Sequence, residues 1–532
     1  MGNNKVKGQE GGNAPGNKSP VIMGIFVLVV LCVQPLVFHD FYFDILETKY
    51  QFYCGTAITM IVVMALYGLW NGAMIDFFKK VNIKSLIKSL NIVDWMMVAY
   101  WFAHVLSWIF CFDWPWEAFW GTSGRFNGVF LLSVYMVVYF LVTRLFEFKK
   151  WYLDAFLAVG LLVCLFGITD YFQMDLLGFK RQMVPHQRNI YTSTFGNINT
   201  YTVYVAAVMV VSTILFAAEK CPKRMIWYYV NMVVACFALI MGCSDNAYLS
   251  LAVLFGLAPL YLLRTKTGTS RYLISVATFF TVILCIDKIN ASYAETVIGI
   301  DSAFKIIAGM SILPVIVVAL WILAGGVTAL LRKAGKNGSE EMSPWIVRAW
   351  FGIVVMVVCA VAFAFYDATV LGNSDRYGAL APYVTFNDQW GTDRGYVWVR
   401  ALEIWRDELN PLQKIFGYGA DTFALLMRMY DKPHLQGGSY VVFDSVHNEY
   451  LQYLVTIGVF GVVSYIGLLV TAVRAMSKNV KNHPEVAAVM FAVIAYAVQA
   501  LININLPVVT PIIFQLLFMG LSKTTEEDQK LW

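Results

Sequence analysis

His447 lies in DSVHNEYLQYLVTIGVFG, residues 444–461, where a polar segment gives way to a long apolar one. Imidazole is the side chain whose proton affinity lies nearest neutrality, so at such a junction it is equipped to serve as a base toward a group arriving at an apolar bundle. A helix starting near Val446 and capped by Asp444 or Ser445 would turn free N–H groups toward an anion there, and the same field disfavours a protonated ring. A surface or capping histidine is the plainer use of the same residue. Three arginines could supply the counter-charge: Arg125 in SGRFNG, Arg188 in QRNIYTSTFGNIN and Arg394 in TDRGYVWVRALEIWRDELNP. Arg394 falls in the first turn of an amphipathic helix begun by Thr392 or Asp393 and stopped before Pro411; a cation there opposes the helix dipole, which favours a ligand-facing role. For Arg125 the simpler use is a salt bridge to Asp113 or Glu117. The acids Asp375, Asp388, Asp393, Asp421, Asp431 and Asp444 are scattered, as caps and turns are, with Asp421 placed to cap a short helix, so no metal site is expected.

The elements that must position these residues are membrane helices. The chain has 532 residues, 59% hydrophobic and 14% charged, with a mean hydropathy of +0.64, values that exclude a soluble globular protein of this size. Apolar runs of bilayer-spanning length recur from Val21 to Ser522, too long and continuous for barrel strands, so the fold is an all-α, polytopic transmembrane helix bundle of about 14 spans. Expected spans lie near 20–38, 52–71, 93–111, 128–146, 151–172, 200–217, 226–242, 246–263, 271–287, 307–331, 346–367, 449–473, 486–503 and 507–521. The net charge of +5 implies no nucleic acid; the placement of cations carries more. Lys79, Lys80, Lys84 and Lys88 share one side with Arg144, Lys149 and Lys150, with Arg332, Lys333 and Lys336, and with Arg474, Lys478 and Lys481. By the positive-inside rule that side is cytoplasmic, with both termini.

The expected organisation is therefore a disordered cytoplasmic tail over 1–19, a transmembrane bundle over 20–367, and one large extracytoplasmic loop with short amphipathic helices over 368–446. C-terminal transmembrane helices over 447–521 and a cytoplasmic tail over 522–532 complete it. The first apolar run is longer than a signal peptide's and has no small-residue cleavage site, so it reads as a retained helix. Nine cysteines sit in or beside apolar runs without C-x-x-C spacing, which points to packing rather than disulfides or zinc. Residues 112–127 and 173–199 form outside loops holding Trp114, Trp116 and Trp120, and Lys180, Arg181, His186 and Arg188. The tryptophans read as interface anchors or as sugar-stacking platforms. Arginines kept outside run against the charge bias and point to a bound anion such as phosphate. The apolar stripe after Arg394 either packs on the bundle or lies on the outer leaflet, and the two are compatible.

In order, SGRFNG, QRNIYTSTFGNINTYTVY, CSDNAYLSL, DRGYVWVRALEIWRDELNPLQKIFGYGADTF and VHNEYLQYLVTIGVFGVVSYIGLL span most of residues 121–470. In these runs the chain resembles the O-antigen ligase and O-antigen polymerase (Wzy-type) superfamily of polytopic glycosyltransferases. The last run is the most specific, with His447-Asn448, Leu451 and Gly458-x-x-Gly461 resembling the family's histidine motif. One departure is plain: where many members have Ser-Arg entering the helix after the third run, this chain has Ser244-Asp245-Asn246.

The resemblance implies a GT-C-like fold and a multi-pass protein of the cytoplasmic (inner) membrane. It implies transfer of a glycan from undecaprenyl diphosphate to an acceptor hydroxyl, on a glycan or lipid, at the outer face, with no cofactor, metal or nucleotide sugar. It carries catalytic roles to His447 and Arg394, and substrate-binding roles to Arg188, Arg125 and Asn448. The chemistry agrees, since a diphosphate already leaves well and needs only cations to hold it and a base for the acceptor proton. The alternative is a transporter such as a lipid-linked glycan flippase, which should carry charges inside its spans; these spans are nearly charge-free and show no evident inverted repeat.

Overall fold

The computed structural model describes residues 19–80, 82–122, 124–300, 302–335, 339–430, 434–436, 439–441 and 443–530. The tail expected over 1–19 lies outside them except for Ser19, which begins the first helix. The protein is an all-α bundle. Its main helices are α1 (Ser19–Leu28), α2 (Ile45–Trp70), α3 (Ile92–Ile109), α4 (Val129–Leu145), α5 (Trp151–Tyr171), α6 (Ile198–Ala218) and α7 (Pro222–Met241). They continue with α8 (Asn246–Ala252), α9 (Lys266–Ser292), α10 (Leu313–Gly335), α11 (Pro344–Thr369), α12 (Trp390–Glu403), α13 (Phe423–Tyr430) and α14 (Glu449–Thr456). Last come α15 (Gly458–Ser477), α16 (Pro484–Gln499) and α17 (Thr510–Lys530), so that a helix occupies most of the segment expected to be a tail after 522. Ten helical segments among the described residues are long and apolar enough to cross a membrane, and four shorter apolar helices accompany them, so the protein is a multi-span membrane protein.

The helices are sorted by how much of their surface finds protein. α6 is the axis, 94% of its apolar window buried, and packs against α7 and α16. α11 is the opposite case, with none of its window buried; its valines and phenylalanines face outward, as side chains solvated by lipid do. Several charged groups inside the bundle are paired. Asp94 accepts from Arg144 and from the Tyr139 hydroxyl, each at 2.6 Å, and Asn91 with Asp94 closes a capping box at the head of α3. Beyond α1 the first apolar segment ends in a 3-10 turn, Gln34–Leu36. The carbonyls of Gln34 and Pro35 there accept from the buried Lys49 ammonium of α2 at 2.8 and 2.9 Å.

Two features position the site. The span expected over 449–473 is two helices, because Ile457 leaves helical geometry and Gly458 takes φ +72°. Any Cβ on Gly458 would meet the Ile415 carbonyl oxygen at 2.2 Å, so only glycine lets the loop over residues 411–419 pass there. Strands β1 (Tyr191–Thr192) and β2 (Gly196–Asn197) form a two-residue antiparallel ladder leading into α6, while β3 (His434–Gln436) and β4 (Ser439–Val441) pair in the large loop. All nine cysteines are free thiols.

Candidate functional site

The histidine junction is built differently from the expected helix start. α14 begins at Glu449, and its cap is Asn448, whose Oδ1 accepts from the Tyr450 and Leu451 amides at 3.1 Å each. Asp444 and Ser445 do not cap it. The Asn448 carbonyl oxygen is thus committed to the backbone, which removes it as an acceptor for a ligand. His447 lies just outside the cap at φ +51°, a left-handed conformation that keeps it out of the helix. Val446 is clamped on both sides of its peptide: its amide donates to Gln452 Oε1 at 2.9 Å, and its carbonyl accepts from Trp398 Nε1 of α12 at 3.1 Å.

The arginines arrive from two other segments. Ahead of Arg394, Gly391, Thr392 and Asp393 hold φ between +61° and +63°, so regular helix begins only at the arginine. A Cβ at Gly395 would lie 1.9 Å from the Asn387 carbonyl oxygen, which locks this turn against the preceding loop. Arg394 Nη1 donates to Gly391 O at 2.6 Å, whereas its buried Nε has no partner in the protein. Burial lowers the Arg394 pKa and Asp245 opposes that shift. Asp245, the departure noted in the Ser244-Asp245-Asn246 run, therefore acts on Arg394.

Arg125 pairs with Asp444 at 2.5 Å, instead of the expected Asp113 or Glu117, and its Nε is also buried without a partner. Its loop is pinned by Asp421, which was expected to cap a helix. The Asp421 carboxylate instead accepts from the Thr122 amide at 2.8 Å, the Asn127 amide at 3.0 Å and the Thr122 hydroxyl at 3.2 Å. Burial pushes Asp421 up to about 6 against the pull of those bonds and of Arg125.

These segments converge on His447. Burial is the largest cause lowering its pKa to about 4, the Arg394 and Arg125 guanidinium groups add to it, and Asp444 opposes. The imidazole is therefore neutral at ordinary pH, and its Nδ1 has no hydrogen-bond partner in the protein. His447, Arg125 and Asp444 form part of the wall of a cavity of about 400 Å³, whose other walls come from the start of α2 and from residues 191–200 and 503–508. Arg125 also closes a smaller polar cavity of about 20 Å³ beside His104, Asp421 and Glu449, roughly the room one water needs.

Arg188 is not brought to this group. It is exposed in a 3-10 turn, where its Nε donates to Met183 O at 3.2 Å. Lys180 is spent internally, 3.7 Å from the buried Asp170, which also accepts the Ser193 amide at 2.6 Å and so fixes the β1–β2 turn. Trp114 packs on Tyr418, and Trp120 on Phe119 and Phe130, while Trp116 stays 70% exposed. The stripe of α12 packs as core, with Val397, Ala401 and Ile404 buried against Leu426, Met427 and Val446. Sequence reasoning passed over Asp421 as a loop anchor, Asp444 as the Arg125 partner and the α2 start as a cavity wall. Only the first had a signal, a lone acid directly after the GYGA turn.

Among known proteins, residues 301–466 match the family model described as O-Antigen ligase. The matched segment runs from before α10 into α15 and includes Arg394, Asp444, His447 and Asn448, whereas Arg125 and Arg188 fall outside it. No curated protein sequence matches the chain.

Proposed function

With an O-antigen ligase domain of the ligase and polymerase superfamily over residues 301–466, set in a multi-span bundle, we propose that the protein moves a glycan from undecaprenyl diphosphate to an acceptor hydroxyl. The reaction would take place at the outer face of the cytoplasmic membrane, with loop 368–446 outside and both termini inside. That it is an O-antigen ligase-like membrane glycosyltransferase in general follows from the family; the donor, the acceptor and the residue roles are our reading.

The observation that carries it is the convergence of two arginines, each with an unpartnered buried Nε, on a neutral histidine at a cavity wall. Arg394 and Arg125 would hold the diphosphate and take up the charge that grows on it as the sugar C1–O bond breaks. His447 would accept the proton of the attacking hydroxyl as the new glycosidic bond forms, so that the electron pair leaves with the diphosphate and the proton stays on imidazole. The two cations that depress the His447 pKa are the ones the diphosphate would neutralise. Donor binding would thus raise the basicity of the ring when it is needed. Guanidinium groups supply the counter-charge in this scheme, which calls for no metal.

Transfer measured with purified protein, lipid-linked donor and acceptor tests it. His447→Ala should lower turnover about a hundredfold or more while donor binding persists; transfer at the wild-type rate would remove His447 from the mechanism. A flippase has no such dependence, since it forms no glycosidic bond.

A further inference from the structure

The 400 Å³ cavity has a charge pattern that the diphosphate reading does not use. Its lining includes the carboxylates of Asp44, Glu47 and Asp444 against the one guanidinium of Arg125, with His447 neutral. Asp444 is paired with Arg125 and Asp44 with His39, which leaves Glu47, exposed and, among the described residues, bonded only to the Gln51 amide at 3.0 Å, as the freest acid. The amides of Asn197, Asn199 and Asn503 and the ring of Tyr191 face the same space. The oxygens of Asn197 and Asn199 accept from the Asn199 amide and the Ser244 hydroxyl at 2.8 Å each, so these residues offer their Nδ2 groups as donors; with Glu47 as acceptor and an aromatic face beside them they form a surface suited to a sugar. Asp44 and Glu47, which no arginine of the cavity wall pairs, disfavour an acidic substituent on a sugar held beside them.

The placement relative to the two arginines gives the cavity a role. Arg394 is not in its wall, whereas His447 is. Asn199 in the wall accepts from the Ser244 hydroxyl at 2.8 Å, and the next residue, Asp245, is the acid that acts on Arg394. The cavity and the Arg394 guanidinium thus flank one stretch of chain. A hydroxyl held in the cavity would meet the imidazole directly. The volume falls in the ~300–1,000 Å³ range of small-molecule sites.

We propose that this cavity is the acceptor subsite and that it takes a terminal sugar bearing free hydroxyls and no acidic substituent, a neutral or amino sugar. This rests on the glycosyltransferase reading and sharpens it: an acceptor carrying phosphate or uronate at its end is excluded by Asp44 and Glu47.

The test uses the full chain in nanodiscs and three soluble probes, the p-nitrophenyl glycosides of glucose, glucosamine and glucuronic acid, in both binding and transfer assays. The neutral and amino glycosides should bind and be glycosylated with a lower KM than the glucuronide. Glu47→Lys should shift that preference toward the glucuronide by about fivefold, the size a single partly exposed charge contact commands. Asn503→Trp, which fills the cavity, should raise the acceptor KM and leave the donor KM unchanged. Overturning results are a glucuronide preferred by the wild type, acceptor KM values untouched by both variants, or a donor KM that rises in their place. Glycosides that bind in a cavity-dependent way without any transfer from lipid diphosphate would uphold the sugar site and refute the enzymatic reading instead.

Discussion

Replacing Arg125 by glutamine keeps most of the side chain and removes one of two cations that act on His447. In the intact protein the ring is held at about 4 by burial, then by Arg394 and Arg125, with Asp444 opposing. Arg125→Gln deletes a lowering contribution and leaves Asp444 unpaired, so both consequences push the pKa up, toward the unperturbed 6.5 but short of it because burial remains. The assay is the pH dependence of kcat/KM for the lipid-linked donor, which reports the free enzyme. At pH 5 about nine-tenths of a base with a pKa of about 4 is neutral, against about 3% of one at 6.5. The wild type should therefore keep nearly full kcat/KM at pH 5, and the Arg125→Gln profile should fall at higher pH whatever its plateau. Asp444→Asn should move the fall the other way. The kcat profile, taken with donor bound and both arginines neutralised, should show a higher pKa than kcat/KM in the wild type. A wild-type half-loss near pH 6.5 in kcat/KM, or an Arg125→Gln curve superimposable on it, would refute the electrostatic account of the base.

Arg394→Lys should lose most of the transfer activity, because one ammonium does not reproduce a planar fork on a diphosphate; full activity in steady-state assays would remove the clamp from this residue. Asp421→Ala strands the Thr122 and Asn127 amides in a buried place and should destabilise the protein by about 2–5 kcal/mol, read from a thermal melt in detergent, with the isosteric Asp421→Asn losing less. A cysteine placed at Ser439 should react with a membrane-impermeant thiol reagent in intact cells, since the loop over 368–446 is expected outside. Reaction only after lysis would invert the topology and carry the site to the other face.

Much of the bundle is legible because composition and run length act locally: an apolar stretch with no partner for its backbone in lipid becomes a helix whatever its neighbours. The junctions are not legible in that way. A continuous apolar run from Tyr450 to Leu469 gave no sign of the break at Ile457, which exists because Gly458 must let a distant segment, residues 415–417, pass within contact of its Cα. Site composition followed the same division. Arg394 and His447 announce themselves through their position at helix boundaries. The pairing of Arg125 with Asp444 joins residues 319 apart in sequence and is decided by tertiary packing alone. Arg188, in the same kind of polar outside loop, lacks such a partner and stays in solvent.

The backbone around the site has one further property that ties stability to function. Phe126, Thr392, Asp393, Asp421 and His447 all hold φ between +57° and +63° or, for His447, +51°, a region that costs L-residues of order 1 kcal/mol or more each. Each belongs to or adjoins a segment that presents a charged group: Phe126 follows Arg125, Thr392 and Asp393 precede Arg394, and Asp421 anchors the Arg125 loop. Such conformations persist only where surrounding bonds determine them, as the Asp421 carboxylate, the Asn448 cap and the Val446 clamp do here. In the proposed reaction, fixing the side chains before substrate arrives would remove the reorganisation that a flexible loop would otherwise undergo as charge develops on a diphosphate. It follows that a change which relaxes one of these turns without touching a charge, such as Thr392→Gly at φ +62°, should raise the midpoint of a thermal melt slightly yet slow transfer.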